Sequence, residues 1–402
     1  MPLRRTKPAK AAQQKRRLKL DFISLDGFKA VKSASKIPIG GLTLLIGRNG
    51  SGKSSIVEAL QWLQESLFWG LQRATEDRFR RYTDLRNLRS KETSIHLEFS
   101  GVAEAPVQYD LTVKKKVGFT ALPIVFDERL RVRKVSAQRS LIWTRKGPTG
   151  PAVRNIKGGN PERDSDRLAL ASGRSGADVA ESLREFLRNL VVLRLSPTSM
   201  TQSVPLERRA RGPMLDEQGS GLPALLAGMK AAQREWVASK LADINPDITG
   251  VKPLLTDRER GTFSLTESMV KQGGSGEFDI PAWMLSEGMR RMTAIFTLLA
   301  VEPQPSLIVI EEIENGLDPW TLEYVLRELH EASERGIQLL LTTHSPFLLD
   351  HVKPAEVIHV RRTKGNSTYT PVSSYVDVAK FGGVVAPGAM YLAGYYQDED
   401  AE

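Results

Sequence analysis

The sequence of 402 residues contains no cysteine, which excludes disulfide bonds, thiolate zinc sites and a cysteine nucleophile. No apolar run approaches the roughly 20 residues that a membrane-spanning helix requires. The start of the chain is basic but lacks the apolar segment of a secretory signal. Sustained heptads are also missing, so long coiled-coil arms are not expected. These absences predict a globular, cytoplasmic protein without a membrane partner.

Positive charge is unevenly distributed along the chain. The formal net charge is +10, and residues 1–20 contribute eight basic residues and no acidic one. We expect residues 1–17 to form a disordered basic tail that either binds polyanions weakly or serves only solubility. A second stretch, residues 129–157, holds nine basic residues and Trp143 without any acid. Its glycines and prolines favour an exposed connection, and phosphate contacts with DNA are the alternative.

Residues 47–54 match in full the phosphate-binding pattern G-x-x-x-x-G-K-[ST]. An apolar strand precedes this P-loop, and apolar residues at helical spacing follow it. Together, strand, loop and helix N-terminus direct backbone N–H groups at a polyphosphate. Lys53 is predicted to reach the outer phosphates of ATP, and Ser54 to bind Mg²⁺. The predicted nucleotide-binding residues of this segment are Gly47, Arg48, Asn49, Gly50, Ser51, Gly52, Lys53, Ser54 and Ser55.

Two later apolar segments, residues 307–310 and 338–342, also end in polar residues. Glu311 and Glu312 follow the first segment, and His344 lies just beyond the second. Apolar strands that alternate with helices predict a parallel sheet covered on both faces. Ligands of such sheets bind at the carboxyl ends of the strands. We therefore expect the P-loop, the acidic pair and His344 at one edge of the sheet.

These segments make the chain similar to the ABC-type ATPase heads of the RecF/SMC/OLD group, within the AAA-15/AAA-21 set of bacterial ATP-binding proteins. The matching stretches are residues 46–54, 285–288, 310–319 and 342–346. The resemblance implies an α/β fold of the P-loop NTPase type, with a mainly parallel sheet flanked by helices and an antiparallel β subdomain. The predicted domains are a tail (1–17), a discontinuous ATPase head (18–120 and 281–402) and an inserted basic and helical lobe (121–280).

The resemblance also implies a role for each acidic residue and for the histidine. Glu311 takes the place of the Walker B acid that holds Mg²⁺, where the family usually has the shorter aspartate. Glu312 takes the place of the general base that polarises the attacking water. His344 resembles the switch histidine that hydrogen-bonds the γ-phosphate.

Three further residues resemble motifs that face a second subunit. Ser286 and Gly288 correspond to the signature motif, with Glu287 in place of its first glycine, and Asp318 corresponds to the D-loop acid. Simple helix capping is the alternative for Ser286 and Asp318. The sequence does not identify a counterpart of the Q-loop glutamine.

Taken together, the resemblance implies an ATP hydrolase that uses ATP and Mg²⁺ and works as a nucleotide-gated homodimer. DNA and a separate effector protein are the implied partners, with bacterial anti-phage defence as the setting. The 58 residues after His344 are too few for the Toprim nuclease domain of OLD-type proteins, so any cutting is expected from a partner. A RecF-like DNA-repair clamp is the alternative. A transporter ATPase is a weaker one, because transporter heads have a shorter span between P-loop and signature.

Overall fold

The computed structural model describes most of the chain, and three β-sheets form within the described residues. The described ranges are 17–102, 105–116, 122–133, 139–146, 167–172, 178–206, 213–257, 259–271, 274–381 and 383–396. Most of the predicted basic tail and much of the basic stretch 129–157 lie outside these residues. Strands and helices are numbered below in chain order.

An antiparallel sheet forms one layer of the molecule. Its strands are β1 (Lys19–Phe28), β2 (Val31–Pro38), β4 (Thr93–Ser100), β5 (Val107–Lys115), β6 (Pro123–Arg133) and β7 (Arg139–Lys146). They are ordered β2-β1-β4-β5-β6-β7. Ile95, Leu97, Tyr109 and Leu111 are buried, and their neighbours along β4 and β5 are half-buried. The register pairs β4 with β5 antiparallel, as expected for the antiparallel β subdomain that the resemblance implies.

The central sheet carries the P-loop. Its strands are β3 (Leu42–Ile46), β8 (Leu190–Leu193), β13 (Leu307–Ile310), β14 (Gln338–Thr343), β15 (Val357–Thr363) and β16 (Asn366–Pro371). The order is β16-β15-β3-β14-β13-β8, and every neighbouring pair is parallel except β15 with β16. The predicted mainly parallel sheet is confirmed.

Helices cover both faces of the central sheet, and alternate residues of β3 enter two different cores. Leu45 packs in the core that holds α1 (Lys53–Trp69) and the antiparallel sheet, whereas Leu44 packs in the core that holds α7 (Glu287–Ala300) and α8 (Pro319–Glu334). The helices are α1 (Lys53–Trp69), α2 (Leu71–Phe79), α3 (Tyr82–Leu85), α4 (Asp178–Arg188), α5 (Leu222–Ala227), α6 (Ala231–Ala242), α7 (Glu287–Ala300), α8 (Pro319–Glu334), α9 (Val376–Phe381) and α10 (Pro387–Leu392). Among the described residues, none of these helices has the length and apolar character to cross a membrane.

A small third sheet is formed by strands from the middle of the chain, within residues 204–281. Its strands are β9 (Val204–Pro205), β10 (Ile248–Leu255), β11 (Arg260–Lys271) and β12 (Gly274–Pro281). Phe263 and Leu265 on β11 are fully buried in the same core as α6 and α7. The sheet is therefore packed on the helices of the head.

The predicted lobe of residues 121–280 is corrected at several points. Strand β6 pairs with β5, and β8 forms the edge of the central sheet beside β13. All four residues of β8 are buried, so this apolar strand is stable only with helices on its faces and a strand beside it. The helical part of this lobe includes two short helices, because α5 ends at Ala227 before the cap Gly228 and α6 starts after Lys230.

Buried amide side chains tie the layers together below the site. The Gln338 side chain accepts from Leu20 N at 2.7 Å and donates to Leu20 O at 2.9 Å, which joins β14 to β1. Gln64 Nε2 on α1 donates to Leu187 O at 2.8 Å and Leu190 O at 2.6 Å. These bonds satisfy backbone groups at the end of α4 and at the start of β8. They fix the position of the P-loop helix α1 relative to the edge strand β8.

Candidate nucleotide site

The P-loop runs from the end of β3 to the start of α1, and close packing explains its glycines. A Cβ at Gly47 would lie 2.1 Å from Val360 O. A Cβ at Gly52 would lie 2.2 Å from Ser367 Oγ, and Gly52 also has a φ of +113°. Tyr369 donates its hydroxyl to Gly52 O at 2.8 Å. The β15–β16 hairpin thus clamps the loop, and only glycine fits at these two points.

Lys53, the first residue of α1, points back into the P-loop. Its Nζ donates to Gly47 O at 2.6 Å and to Arg48 O at 3.3 Å, and lies 3.3 Å from His344 Nδ1. The residue is 6% exposed, and this burial lowers its pKa to about 8 against the opposing charges of nearby carboxylates, Glu312 first. Among the described residues, no carboxylate forms an ion pair with this ammonium group. A buried cation of this kind is suited to an anionic ligand.

The two acidic residues after β13 occupy different environments. Glu311 is almost buried, with a side chain 9% exposed, and it forms an ion pair with Arg194. Glu312 is half-exposed and has a φ of 51°, in the left-handed region. Its backbone N donates to Thr342 Oγ1 at 3.0 Å, and its Oε2 accepts from Asn315 Nδ2 at 2.6 Å. Strained backbone of this type is concentrated at functional sites.

His344 links the P-loop to the second acidic residue. Its Nδ1 faces Lys53 Nζ, and its Nε2 lies 3.8 Å from Glu312 Oε1. The backbone N of His344 donates to Glu314 Oε1 at 2.7 Å, so the loop after β13 fixes the loop after β14. The structure therefore brings Lys53, Glu312 and His344 together at the carboxyl edge of the central sheet, as the sequence predicts.

A cavity of about 340 Å³ connects the P-loop with the acidic residues. Ser54, Glu311 and Glu312 line it, together with Arg194 and Asn315. Among the described residues there is no group of three or more histidine, cysteine or acidic side chains that could hold a metal. One hydroxyl and one carboxylate fit Mg²⁺, which protein sites often bind through few side chains together with the phosphates of the substrate.

The predicted signature and D-loop residues lie beside each other. Ser286 caps α7 and accepts from Met289 N at 3.2 Å. Asp318 caps α8, and its pKa is lowered chiefly by the hydrogen bond from the Thr321 hydroxyl. A Cβ at Gly288 would lie 2.7 Å from Gly316 O. Both residues cap a helix, as the alternative reading of the sequence has it, and their signature and D-loop roles stay predictions. Neither Ser286 nor Gly288 lines the cavity beside Ser54.

Three residues of this site are not among those that the sequence predicts. Arg194 follows β8 directly and pairs with Glu311; Glu58 on α1 lines the same cavity; and Glu314 holds the backbone of His344. Only Arg194 had a usable signal, because it is a polar residue at the carboxyl end of an apolar strand, as Glu311 is. Without its place in the sheet, that signal is not specific.

Part of the basic stretch is neutralised within the antiparallel sheet. The Arg129 guanidinium pairs with Asp127, and the Arg131 guanidinium pairs with Asp110. Both acids come before residue 129 in the sequence. The absence of acidic residues within the stretch therefore does not leave these two arginines without an ion pair. Lys134, Arg154 and Lys157 lie outside the described residues.

Comparison with known proteins decides the family. Residues 42–350, more than half of the chain, match the AAA_21 family, described as "AAA domain, putative AbiEii toxin, Type IV TA system". The chain belongs to this family. The family is one of AAA-domain ATPases, and the fold of the chain is the P-loop NTPase fold that the sequence resemblance implies.

Two curated relatives are similar over shorter stretches. The energy-coupling factor transporter ATP-binding protein EcfA of Methanothermobacter thermautotrophicus is 35% identical over 80 residues, which is 20% of this chain and 25% of that protein. The DNA replication and repair protein RecF of Shewanella amazonensis is 46% identical over 46 residues, 11% of this chain and 13% of that protein. The chain spans about half or less of the length of the curated relatives it matches.

Solved structures of SMC head domains are similar to this chain in fold. An Smc head domain with an extended coiled coil, bound to the C-terminal domain of ScpA from Pyrococcus furiosus, covers 90% of this chain and 99% of its own length, with a TM-score of 0.55 and 14% identity. An SmcHead bound to the C-winged helix domain of ScpA covers 88% and 97%, with a TM-score of 0.52 and 16% identity. At these identities the likeness concerns the fold alone.

Proposed function

We propose that the protein binds ATP together with Mg²⁺ and hydrolyses it at the carboxyl edge of the central sheet. The observation that carries this proposal is the buried Lys53 ammonium, which donates to carbonyl oxygens and, among the described residues, forms no ion pair with the carboxylates near it. A phosphate would supply the missing negative charge. Ser54, Glu311 and Glu312 border the adjoining cavity, where the outer phosphates would lie.

Each residue then has one task in the reaction. Lys53 and the N-terminus of α1 bind and orient the phosphates. Ser54 and Glu311 would hold Mg²⁺, which neutralises charge on the phosphate oxygens when it is bound. Glu312 accepts a proton from the attacking water. His344, held by Glu314, is positioned to donate a hydrogen bond to the γ-phosphate.

Replacement of the proposed base tests the reaction. Glu312→Gln keeps the side-chain size but cannot accept the proton, so we expect normal ATP binding and at least a hundredfold loss of steady-state turnover. Glu331→Gln is the matched control, because Glu331 is an exposed acid on α8 that pairs with Arg335 far from the P-loop. Turnover by Glu312→Gln at the rate of the control variant would refute the assignment of the base.

We further propose that two copies of the chain form the complete site. Ser286 and Gly288 lie outside the cavity beside Ser54, so one chain does not bring its own signature residues onto its nucleotide. Large apolar side chains are exposed beside both motifs, with Met284 70% and Trp320 82% exposed. Such exposed apolar groups favour a contact with a partner surface. A second copy that donates this surface would satisfy the symmetry of a homodimer.

The mass of the Glu312→Gln variant tests the dimer. With Mg²⁺ and ATP, the variant cannot hydrolyse the bound nucleotide, so the dimer should not dissociate. Light scattering should then give about twice the mass of one chain. Without nucleotide the mass should return towards that of the monomer. Ser286→Arg, which places a bulky cation at the expected contact, should remain monomeric in the same background. A monomer under both conditions for Glu312→Gln would contradict the two-chain site.

DNA is the partner we propose for this ATPase, together with a separate effector protein. The named relative RecF supports a DNA setting, and the family description, which includes a toxin of a TA system, supports a paired effector and a role in defence. Internal ion pairs of Arg129 and Arg131 lower their value as phosphate contacts. A transporter role is the alternative, and it is supported by matches to ABC transporter ATP-binding proteins, each over less than half of this chain.

ATPase stimulation separates these settings. Linear duplex DNA should raise the turnover of the full chain several-fold, with an effect that weakens as salt rises because phosphate contacts release counterions. The Arg129→Ala/Arg131→Ala variant should retain this stimulation, since both residues are already paired. The absence of any DNA effect at low salt would remove the DNA proposal and favour the transporter alternative.

A further inference from the structure

The side chains of Arg194 and Glu311 leave neighbouring strands at the same edge of the central sheet. The backbone N of Glu311 donates to Leu193 O at 2.9 Å, directly after the pairing of β13 with β8. The backbone N of Arg194 donates to Glu217 O at 2.7 Å, which fixes the start of its side chain. Arg194 Nε then donates to Glu311 Oε2 in a close ion pair.

This ion pair occupies the carboxylate that the proposed function assigns to Mg²⁺. The Glu311 side chain is 9% exposed and the Arg194 side chain 33% exposed, so water screens the pair only in part. A guanidinium and a divalent cation require the same carboxylate oxygens. Arg194 and Mg²⁺ therefore cannot both bind the two carboxylate oxygens of Glu311 at the same time.

A second acceptor lies next to the guanidinium. Nη2 of Arg194 is 3.8 Å from Oε1 of Glu58, whose side chain is 14% exposed. Glu58 stands on α1, one turn after Ser54, and lines the same cavity. Lys29 pairs with the other oxygen of Glu58 at 2.6 Å. Oε1 therefore remains available to a guanidinium that moves away from Glu311.

We infer that Arg194 competes with Mg²⁺ for Glu311, and that Glu58 accepts the guanidinium when the metal binds. This inference rests on the proposed function of the site. Arg194 is then a positioning residue: it neutralises Glu311 while the site is empty and makes metal loading depend on a side-chain exchange. The exchange sets the Mg²⁺ concentration at which the nucleotide site fills.

A titration of nucleotide binding against Mg²⁺ tests the competition without relying on turnover. A fluorescent N-methylanthraniloyl derivative of ATP serves as the probe, with the full chain at fixed nucleotide concentration. For Arg194→Gln we expect the half-saturating Mg²⁺ concentration to fall about tenfold, which equals about 1.4 kcal/mol. A charge-assisted hydrogen bond that no longer has to be broken accounts for an effect of this size. Arg194→Lys should lie between the wild type and Arg194→Gln.

Glu58→Gln tests the second half of the exchange. The variant removes the acceptor of the displaced guanidinium, so the half-saturating Mg²⁺ concentration should rise a few-fold. In the Arg194→Gln background the same change should have no effect, because there is no guanidinium to accept. A simple loss of negative charge near the metal would act equally in both backgrounds, and that result would overturn the role of Glu58.

Arg188→Gln is the matched control for removal of one positive charge. Arg188 stands at the end of α4, close to β8 in sequence, and pairs with the exposed Glu181 at 3.4 Å. It should leave the Mg²⁺ dependence unchanged. If the wild-type chain fails to bind the probe at any Mg²⁺ concentration, the proposed function is wrong. If the wild type binds, but neither Arg194→Gln nor Arg194→Lys lowers the Mg²⁺ requirement, the competition by Arg194 is refuted.

Discussion

Lys53→Met should stabilise the nucleotide-free protein while it abolishes ATP binding. The pKa of Lys53 is lowered from 10.5 to about 8 by burial. At about 1.36 kcal/mol per pH unit this lowering corresponds to about 3 kcal/mol of unfavourable charge burial. Methionine has similar length without the charge, but it leaves the carbonyls of Gly47 and Arg48 without their donor, at a cost of about 1 kcal/mol. We expect a net gain of about 2 kcal/mol at neutral pH.

The lowered pKa of Lys53 also predicts how the difference in stability between the two proteins changes with pH. Below pH 8 Lys53 is charged in both the folded and the unfolded chain, so the folded wild type carries the whole penalty. Between about pH 8 and 10.5 the unfolded chain binds a proton that the folded chain does not, and wild-type stability rises with pH relative to the variant. Urea unfolding of the two proteins across this range measures the difference. A variant less stable than the wild type at pH 7, or an advantage independent of pH, would refute the reasoning.

Two further predictions concern the loop and the helix caps. Gly52→Ala should reduce nucleotide binding by at least tenfold, because its Cβ would lie 2.2 Å from Ser367 Oγ. A Cβ at Gly50 meets no atom within 4 Å, so Gly50→Ala should bind nucleotide better than Gly52→Ala in the same titration. Asp318→Ala should lower the free energy of unfolding by about 1 kcal/mol through loss of the α8 cap. Because hydrogen bonds lower the pKa of Asp318, this contribution is present above its ordinary value near pH 4 and disappears as the pH falls through the folded value. Equal stability of the variant and the wild type in urea at pH 7 would contradict the capping role.

Most of the site followed from local sequence patterns. The P-loop, the apolar strands before Glu311 and His344, and the caps Ser286 and Asp318 depend on residues close together in the chain. A strand, a turn or a cap is encoded by backbone preferences and by which side chains alternate between faces. Parallel strands then bring their carboxyl ends to one edge whatever the length of chain between them. That general rule was enough to predict that Lys53, Glu312 and His344 would meet.

The charge pairing around that edge was decided by tertiary structure alone. Arg194 and Glu311 are 117 residues apart, and they meet because β8 lies beside β13, an order that its four apolar residues do not encode. The same holds for Arg131 and Asp110, which neutralise part of a stretch that is wholly basic in the sequence. A side chain's charge can be read from the sequence, but its partner depends on strand order and register. Those are set by the packing of the whole core, which no single stretch of the chain determines.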